Sequence, residues 1–159
     1  MKKIISLNSL KSYIINHKSK IIVLATGCFD ILHFAHKDFL KTAKQQGDLL
    51  IVGLESDKRV KKLKGDNRPI NTLKTRSENL AQLKWVDFIF SLPQNFNQPN
   101  HHLKLLQLIK PNILAISEND KYLNQKKKII NQIGKQLYIF PYNSKYSTTT
   151  LLTKSPSCF

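Results

Sequence analysis

Five short apolar runs rich in branched residues recur along the chain, and amphipathic stretches of helical period separate them. The runs are Ile21 to Ala25, Leu49 to Leu54, Phe88 to Leu92, Ile113 to Ile116 and Leu137 to Phe140. Continuous apolar runs of this length read as strands buried on both faces. Between them, Phe34 to Gln46, Asp57 to Leu63, Leu73 to Trp85, His101 to Ile109 and Lys121 to Ile133 read as helices. Thr72 is placed as an N-cap, and Gly47 and Gly134 as C-terminal stops. Strand and helix in alternation predict an α/β fold, a Rossmann-like three-layer sandwich with a mainly parallel five-stranded sheet and helices on both faces. Ligands of such sheets bind beyond the carboxyl ends of the strands. The loop after the first strand is therefore where chemistry is expected.

At 159 residues, with no repeat or low-complexity linker, the chain is expected to form one domain over 1–159. No apolar run approaches the roughly 18 residues of a membrane span. Met1 to Ile15 lacks the apolar h-region of a secretory signal, so a cytoplasmic location is expected. Cys28 and Cys158 show neither CxxC nor Cys/His ligand spacing, so thiols are expected, with no disulfide framework and no structural zinc. The formal charge of +16 favours polyanionic partners: nucleotide phosphates, nucleic acid or an anionic membrane surface. Part of it reflects a chain generally rich in lysine. No RNP, KH or zinc-finger signature is present, so the sequence does not point to nucleic acid as the partner.

The loop after the first strand reads Thr26-Gly27-Cys28-Phe29-Asp30-Ile31-Leu32-His33-Phe34-Ala35-His36. A strand-to-helix turn exposes N–H groups and the positive end of the helix dipole to an anion. The loop is neither GxGxxG nor GxxxxGK[ST], which excludes the dinucleotide fingerprint and the Walker loop. His33 and His36, three residues apart at a helix start, lie on one side of the first turn. There their N–H groups can donate to phosphate oxygens that gain charge in a transition state. Two histidines without a third ligand or an HExxH glutamate do not make a zinc site.

These residues resemble the HxGH nucleotidyltransferases, and within them the cytidylyltransferase-like branch with its GxFDxxHxGH motif. The similarity continues through Gly47 to Val52, Glu55-Ser56-Asp57, Lys61 to Leu63 and Lys64-Gly65-Asp66-Asn67-Arg68-Pro69-Ile70-Asn71. It reaches Arg76, Val86-Asp87, Pro111, Asp120 and Ser147-Thr148-Thr149. The LKGxxRPIN segment and the terminal STT are most similar to heptose-1-phosphate adenylyltransferase domains, then to glycerol-3-phosphate cytidylyltransferases. The chain departs from the pattern at Ala35, where the motif has glycine, and at Ser117-Glu118-Asn119-Asp120, where it has a glycine-rich turn. It departs again at Tyr142, where some cytidylyltransferases place arginine.

The resemblance implies an enzyme that transfers a nucleoside monophosphate, AMP from ATP by preference, to a sugar phosphate of the heptose-1-phosphate type and releases pyrophosphate. The alternatives are cytidylyl transfer to glycerol 3-phosphate or a similar alcohol phosphate, and nucleotide or nucleic-acid binding without turnover. It implies that His33, His36, Lys61 and Lys64 act on the phosphates. It implies that Thr26, Gly27, Cys28, Phe29, Asp30, Asp120, Ser147, Thr148 and Thr149 line the nucleotide with the two histidines, and that Arg68 and Arg76 meet the substrate. Mg²⁺ is implied as a companion of the triphosphate, held by its phosphates and water with no metal ligand from the chain. A homodimer is implied as well. Second readings stand beside several of these roles. Asp30 also fits orientation of a backbone turn, and Arg76 fits a pair with Glu78 or Asp87. The Lys58 to Lys64 cluster fits a solvated helix face, and His101, His102 and Lys126 to Lys128 read as surface residues.

Overall fold

The computed structural model describes residues 2–96 and 98–141, with residue 99 described by its backbone only. The elements in chain order are α1 (Leu7–Asn16), β1 (Ile22–Gly27), α2 (Phe34–Lys44), β2 (Leu49–Leu54), α3 (Asp57–Lys64) and α4 (Leu73–Ala81). They continue with β3 (Phe88–Ser91), α5 (Pro99–Ile109), β4 (Ile113–Ser117), α6 (Leu123–Gln132) and β5 (Gln136–Phe140). The strands form one sheet in the order β3-β2-β1-β4-β5, and every pairing between them is parallel. The chain moves outward from β1 in one direction and then returns to β1's other side with β4. The order therefore switches at β1, and its carboxyl end opens into a crevice.

Alternate side chains of each strand face opposite sides of the sheet, and the burial follows that period. Ile22, Leu24, Leu49, Ile51, Phe88 and Phe90 pack with Leu10 of α1, Leu106 and Ile109 of α5, and Ile129 and Ile130 of α6. Val23, Ala25, Leu50 and Val52 pack with Phe39, Leu40 and Ala43 of α2 and Leu80 of α4. Both faces are thus covered, which is why the strands read as continuous apolar runs. Each fully buried leucine, isoleucine or phenylalanine contributes roughly 1.5–3 kcal/mol, so the two layers fix the sheet and hold its upper edge rigid under the loops.

Three local features differ from the sequence reading. The first helix, α1, is not legible in the pattern: Ser6 caps it by accepting from the Ser9 N–H at 3.1 Å, and Leu10 is its one fully buried residue. Ahead of it, Ile4 pairs in parallel with Ile89. Gly47 does not stop α2, whose C-cap is Gln45; a Cβ there would lie 2.7 Å from the Ile21 carbonyl oxygen. Gly134 does stop α6, with φ of 62°, and Thr72 caps α4 by accepting from the Thr75 N–H at 3.3 Å.

Candidate active site

The turn out of β1 is shaped by two residues. Phe29 takes φ of 45°, a region uncommon for a residue with a Cβ and concentrated at functional turns. Its ring folds back so closely that a Cβ on Gly27 would lie 2.9 Å from it, so only glycine fits. The next residue, Asp30, is buried and anchors the α3–α4 loop. Its Oδ2 accepts from Arg68 Nε at 2.6 Å and from the Ile70 N–H at 3.0 Å, and its Oδ1 accepts from the Asn71 N–H at 2.8 Å. Asn71 Nδ2 in turn donates to the Asp30 carbonyl at 2.6 Å. Burial works against the charge on Asp30, but the two backbone donors and Arg68 outweigh it and hold the carboxyl below its usual value.

Arg76 ties the same turn to its neighbours. Its side chain is 0% exposed, and Nη1 donates to the Cys28 carbonyl at 2.6 Å. Nη2 donates to the Glu55 carbonyl at 2.8 Å and to Asp57 Oδ1 at 2.7 Å, while Nε donates to the Asn71 carbonyl at 3.1 Å. One guanidinium thus joins the ends of β1 and β2 and the α3–α4 loop. The fixed fork of donors on arginine suits this use better than a lysine could.

Above the turn, His33 is the N-cap of α2 but makes no side-chain cap bond. Its ring stacks on His36, with centroids 3.8 Å apart, and Phe29 meets His36 edge-on at 5.3 Å. His36 Nδ1 lies 3.0 Å from the Ile31 carbonyl. A carbonyl only accepts, so Nδ1 carries the proton in that contact and Nε2 remains the second nitrogen. Burial, then the charge of His33, pushes the His36 pKa down to about 4, and Lys64 adds to the effect. Burial, then Lys64, also lowers His33. Both rings are neutral near pH 7.

A cleft of about 800 Å³ opens over these residues. It is lined by Thr26 to Phe29, His33 to His36, Asp38, Glu55 and Lys64, together with His102, Ser117, Asn119 to Tyr122, Lys126, Phe140 and Pro141. Lys126 Nζ donates to Asp120 Oδ2 at 2.6 Å, and Asp120 Oδ1 accepts from the Tyr122 N–H at 2.8 Å. The Ser117 hydroxyl donates to Asn119 Oδ1 at 2.7 Å, which closes the turn that replaces the family's glycines. His102 is half-buried, and burial with the nearby Lys126 charge pushes its pKa down to about 4.

The structure brings Thr26, Gly27, Cys28, Phe29, His33, His36, Lys64 and Asp120 to one cleft. Asp30, Arg68 and Arg76 are not among its lining residues; they brace the loops beneath it. Arg76 pairs with Asp57, not with Glu78 or Asp87. Lys61 also stands off the lining: it is 57% exposed and faces Asp66 at 3.3 Å. Ser147, Thr148 and Thr149 lie outside the described residues. Two surface assignments are corrected, because His102 and Lys126 both line the cleft. Adjacency of His101 and His102 hid the first, and the Lys126-Lys127-Lys128 run hid the second. The helical period of α6, which puts Lys126 beside the buried Ile129 and Ile130, was the available signal.

Among the described residues, no helix is long and apolar enough to cross a membrane. The family model described as cytidylyltransferase-like matches residues 24–151. The chain is 37% identical over 153 residues to the Bifunctional protein HldE of Campylobacter fetus subsp. fetus (strain 82-40), covering 96% of this chain and 31% of that protein. It is 38% identical over 150 residues to the protein of the same name in Helicobacter hepaticus, covering 94% and 30%. The chain thus spans about a third of the length of these relatives. Among solved structures it is similar to the lipopolysaccharide core biosynthesis protein from Thermoplasma volcanium GSS1, with a TM-score of 0.62 and 28% identity over 78% of this chain and 97% of that one. Pantoate-beta-alanine ligase from Francisella tularensis shares the fold at a TM-score of 0.70 and 20% identity, covering 90% and 68%.

Proposed function

The chain belongs to the cytidylyltransferase-like family, and from that premise we propose that it transfers AMP from ATP to a sugar phosphate of the heptose-1-phosphate type and releases pyrophosphate. The stacked, neutral His33–His36 pair at the switch point of the sheet carries this reading. An oxygen of the acceptor phosphate attacks the α-phosphorus, a P–O bond forms, and the bond to the bridging oxygen breaks as pyrophosphate leaves. The attacking oxygen is already ionised near neutral pH, so the step needs positioning and charge neutralisation more than a base.

The residues divide that work. The β1 turn, held by Arg76 and Asp30, presents backbone groups to the nucleotide. His36 has its Nδ1 proton directed at Ile31, so Nε2 is the nitrogen that would take a proton and donate to a phosphate oxygen as negative charge arrives. Lys64 brings a fixed positive charge to the same wall. Asp120 is paired with Lys126, and among the described residues no group of three or more His, Cys, Asp and Glu is placed to hold a metal ion. Magnesium would therefore be held by the nucleotide's phosphates and water, where it would neutralise charge on the leaving group. Self-association as a homodimer belongs to the same reading, and sedimentation of the purified chain checks it.

The decisive experiment is pyrophosphate release with magnesium. ATP and CTP are supplied separately against heptose, hexose and glycerol phosphates, with His36→Ala as control. Turnover of one pair, lost in the variant, supports the transferase. Nucleotide binding without turnover of any pair, or an undiminished rate in His36→Ala, overturns it. Salt separates a nucleic-acid role, because non-specific polyanion affinity falls steeply with ionic strength and a built nucleotide site is far less sensitive.

A further inference from the structure

Charge is unevenly divided between the two sides of the sheet. Helices α1, α5 and α6 cover one side, α1 packing on α5 and α5 on α6, and none of the three contains an aspartate or glutamate. On the other side α2 carries Asp38 and α4 carries Glu78. A surface that is charged only for solubility intersperses both signs, so a layer with lysines and no carboxylate departs from that pattern. Its lysines gather where α1, α5 and α6 run into β1, β4 and β5, at the amino ends of three adjacent strands. Asn112 binds these three connections side by side. Its Oδ1 accepts from the Ile22 N–H at 2.9 Å, its N–H donates to the Ile22 carbonyl at 2.9 Å, and its carbonyl accepts from the Gln136 N–H at 3.1 Å. Lys18 and Lys20 lead into β1, Lys110 into β4 and Lys135 into β5; the first three are exposed and Lys135 is half-buried. Among the described residues none of the four pairs with a carboxylate.

Two large apolar side chains stand in the same rim: Ile15, 52% exposed near the end of α1, and Ile21, 46% exposed just before β1. Asp48 accepts from the Ile21 N–H at 2.7 Å and Lys44 pairs with Asp87, so the excess charge here stays positive. Lysines around exposed isoleucines match a surface that is anionic outside and apolar just beneath. The phosphates of a lipid bilayer attract the lysines, and the isoleucines reach toward the acyl boundary. A nucleic-acid backbone offers isoleucine nothing, and unpaired bases call for exposed aromatic rings to stack on. The large aromatic side chain exposed among the described residues, Phe34, is on α2 at the cleft. We propose that the rim formed by Lys18, Lys20, Lys110 and Lys135 around Ile15 and Ile21 docks the protein peripherally on an anionic lipid bilayer. The cleft opens at the carboxyl ends of the strands, so a bilayer at their amino ends leaves it free to take and release its ligands. Docking of this kind is independent of which reaction the cleft performs.

The test is co-sedimentation of the full chain with vesicles, comparing phosphatidylcholine alone with a mixture of phosphatidylcholine and phosphatidylglycerol. Binding is expected to the mixed vesicles only and to fall as salt rises. Each lysine at an anionic surface gives about a fivefold gain in partitioning. The variant Lys18→Gln, Lys20→Gln, Lys110→Gln, Lys135→Gln should therefore bind at least about tenfold more weakly, with its urea midpoint unchanged. The same loss of charge at Lys37, Lys41, Lys74 and Lys84, exposed residues on α2, on α4 and just after it, should cost much less. Ile15→Ser with Ile21→Ser should weaken binding severalfold and leave its salt dependence as it was. No preference for the mixed vesicles, or equal losses in the two lysine sets, overturns the proposal. Loss of duplex-DNA binding in the rim variant, with vesicle binding unchanged, would assign the rim to nucleic acid and overturn it as well.

Discussion

The rings of His33 and His36 are stacked with centroids 3.8 Å apart and planes 24° from parallel. Two imidazolium cations at that distance would repel strongly. Burial first, and neighbouring positive charge second, keeps His36 neutral down to about pH 4. A triphosphate reverses the balance, because its negative charge favours the protonated ring. ATP binding is therefore expected to take up a proton through the range above about pH 4 and to tighten as pH falls toward it. Calorimetric titration in buffers of different ionisation heat reads the uptake. Identical buffer dependence in wild type and His36→Gln would rule out this ring as the proton's destination.

The same depressed values bear on stability. His36 and His102 titrate at about 4 in the fold, against an ordinary 6.5. Between those values the unfolded chain binds more protons than the folded one. Stability is thus complete above about pH 6.5 and declines as pH falls toward 4. With two rings shifted, the loss is on the order of a few kcal/mol. Urea unfolding at pH 7 and pH 4.5 measures it. The double variant His36→Gln, His102→Gln should lose much of the decline, and an equal decline in that variant would assign the acid sensitivity elsewhere.

Arg76 is expected to matter more for stability than for substrate affinity. Its guanidinium holds the carbonyls of Cys28, Glu55 and Asn71 in place, and Arg76→Met would leave those acceptors and Asp57 without their donor. The cost is about 3 kcal/mol or more, read as a lower urea midpoint. Arg76→Lys restores the charge but not the fork, and should recover under half of it. Full stability in Arg76→Met with weakened acceptor binding would return this arginine to the substrate role that the family resemblance implies.

What can be read from the chain divides along physical lines. The strands are legible because both faces of a parallel sheet are buried, which leaves unbroken runs such as Leu49 to Leu54. The motif loop is legible because a strand-to-helix turn constrains residue types locally. Helix α1 is not, because Ser6, Asn8, Ser9 and Ser12 dilute a pattern in which Leu10 alone is fully buried. Arg76 has two readings in sequence because a substrate phosphate and a neighbouring carboxylate satisfy the same donors; only the fold brings three carbonyls and Asp57 to it. The pairing of Lys126 with Asp120 reaches from the loop before α6 into the first turn of that helix. A run of three lysines masks which one turns inward.

Asp30 and Arg68 supply the last expectation. Both are almost fully buried and meet at 2.6 Å, and Asp30 also receives the N–H groups of Ile70 and Asn71. In Asp30→Asn the new amide would turn a donor toward at least one of these donors and leave the Arg68 charge uncompensated. Removing one partner of a buried pair costs roughly 3–5 kcal/mol. In the double variant Asp30→Asn, Arg68→Met the orphaned charge is gone, so the combined loss should be smaller than the sum of the single losses by about 1–3 kcal/mol. The Lys64–Gly65 bond at the start of this loop should also become more open to trypsin in Asp30→Asn, since the loop's anchors are cut; Arg68 precedes Pro69, so its own bond stays uncut. Additive losses in the cycle, or an unchanged cleavage pattern, would show that the loop is held by something other than Asp30. The resemblance-based nucleotide contact for this carboxylate would then regain ground.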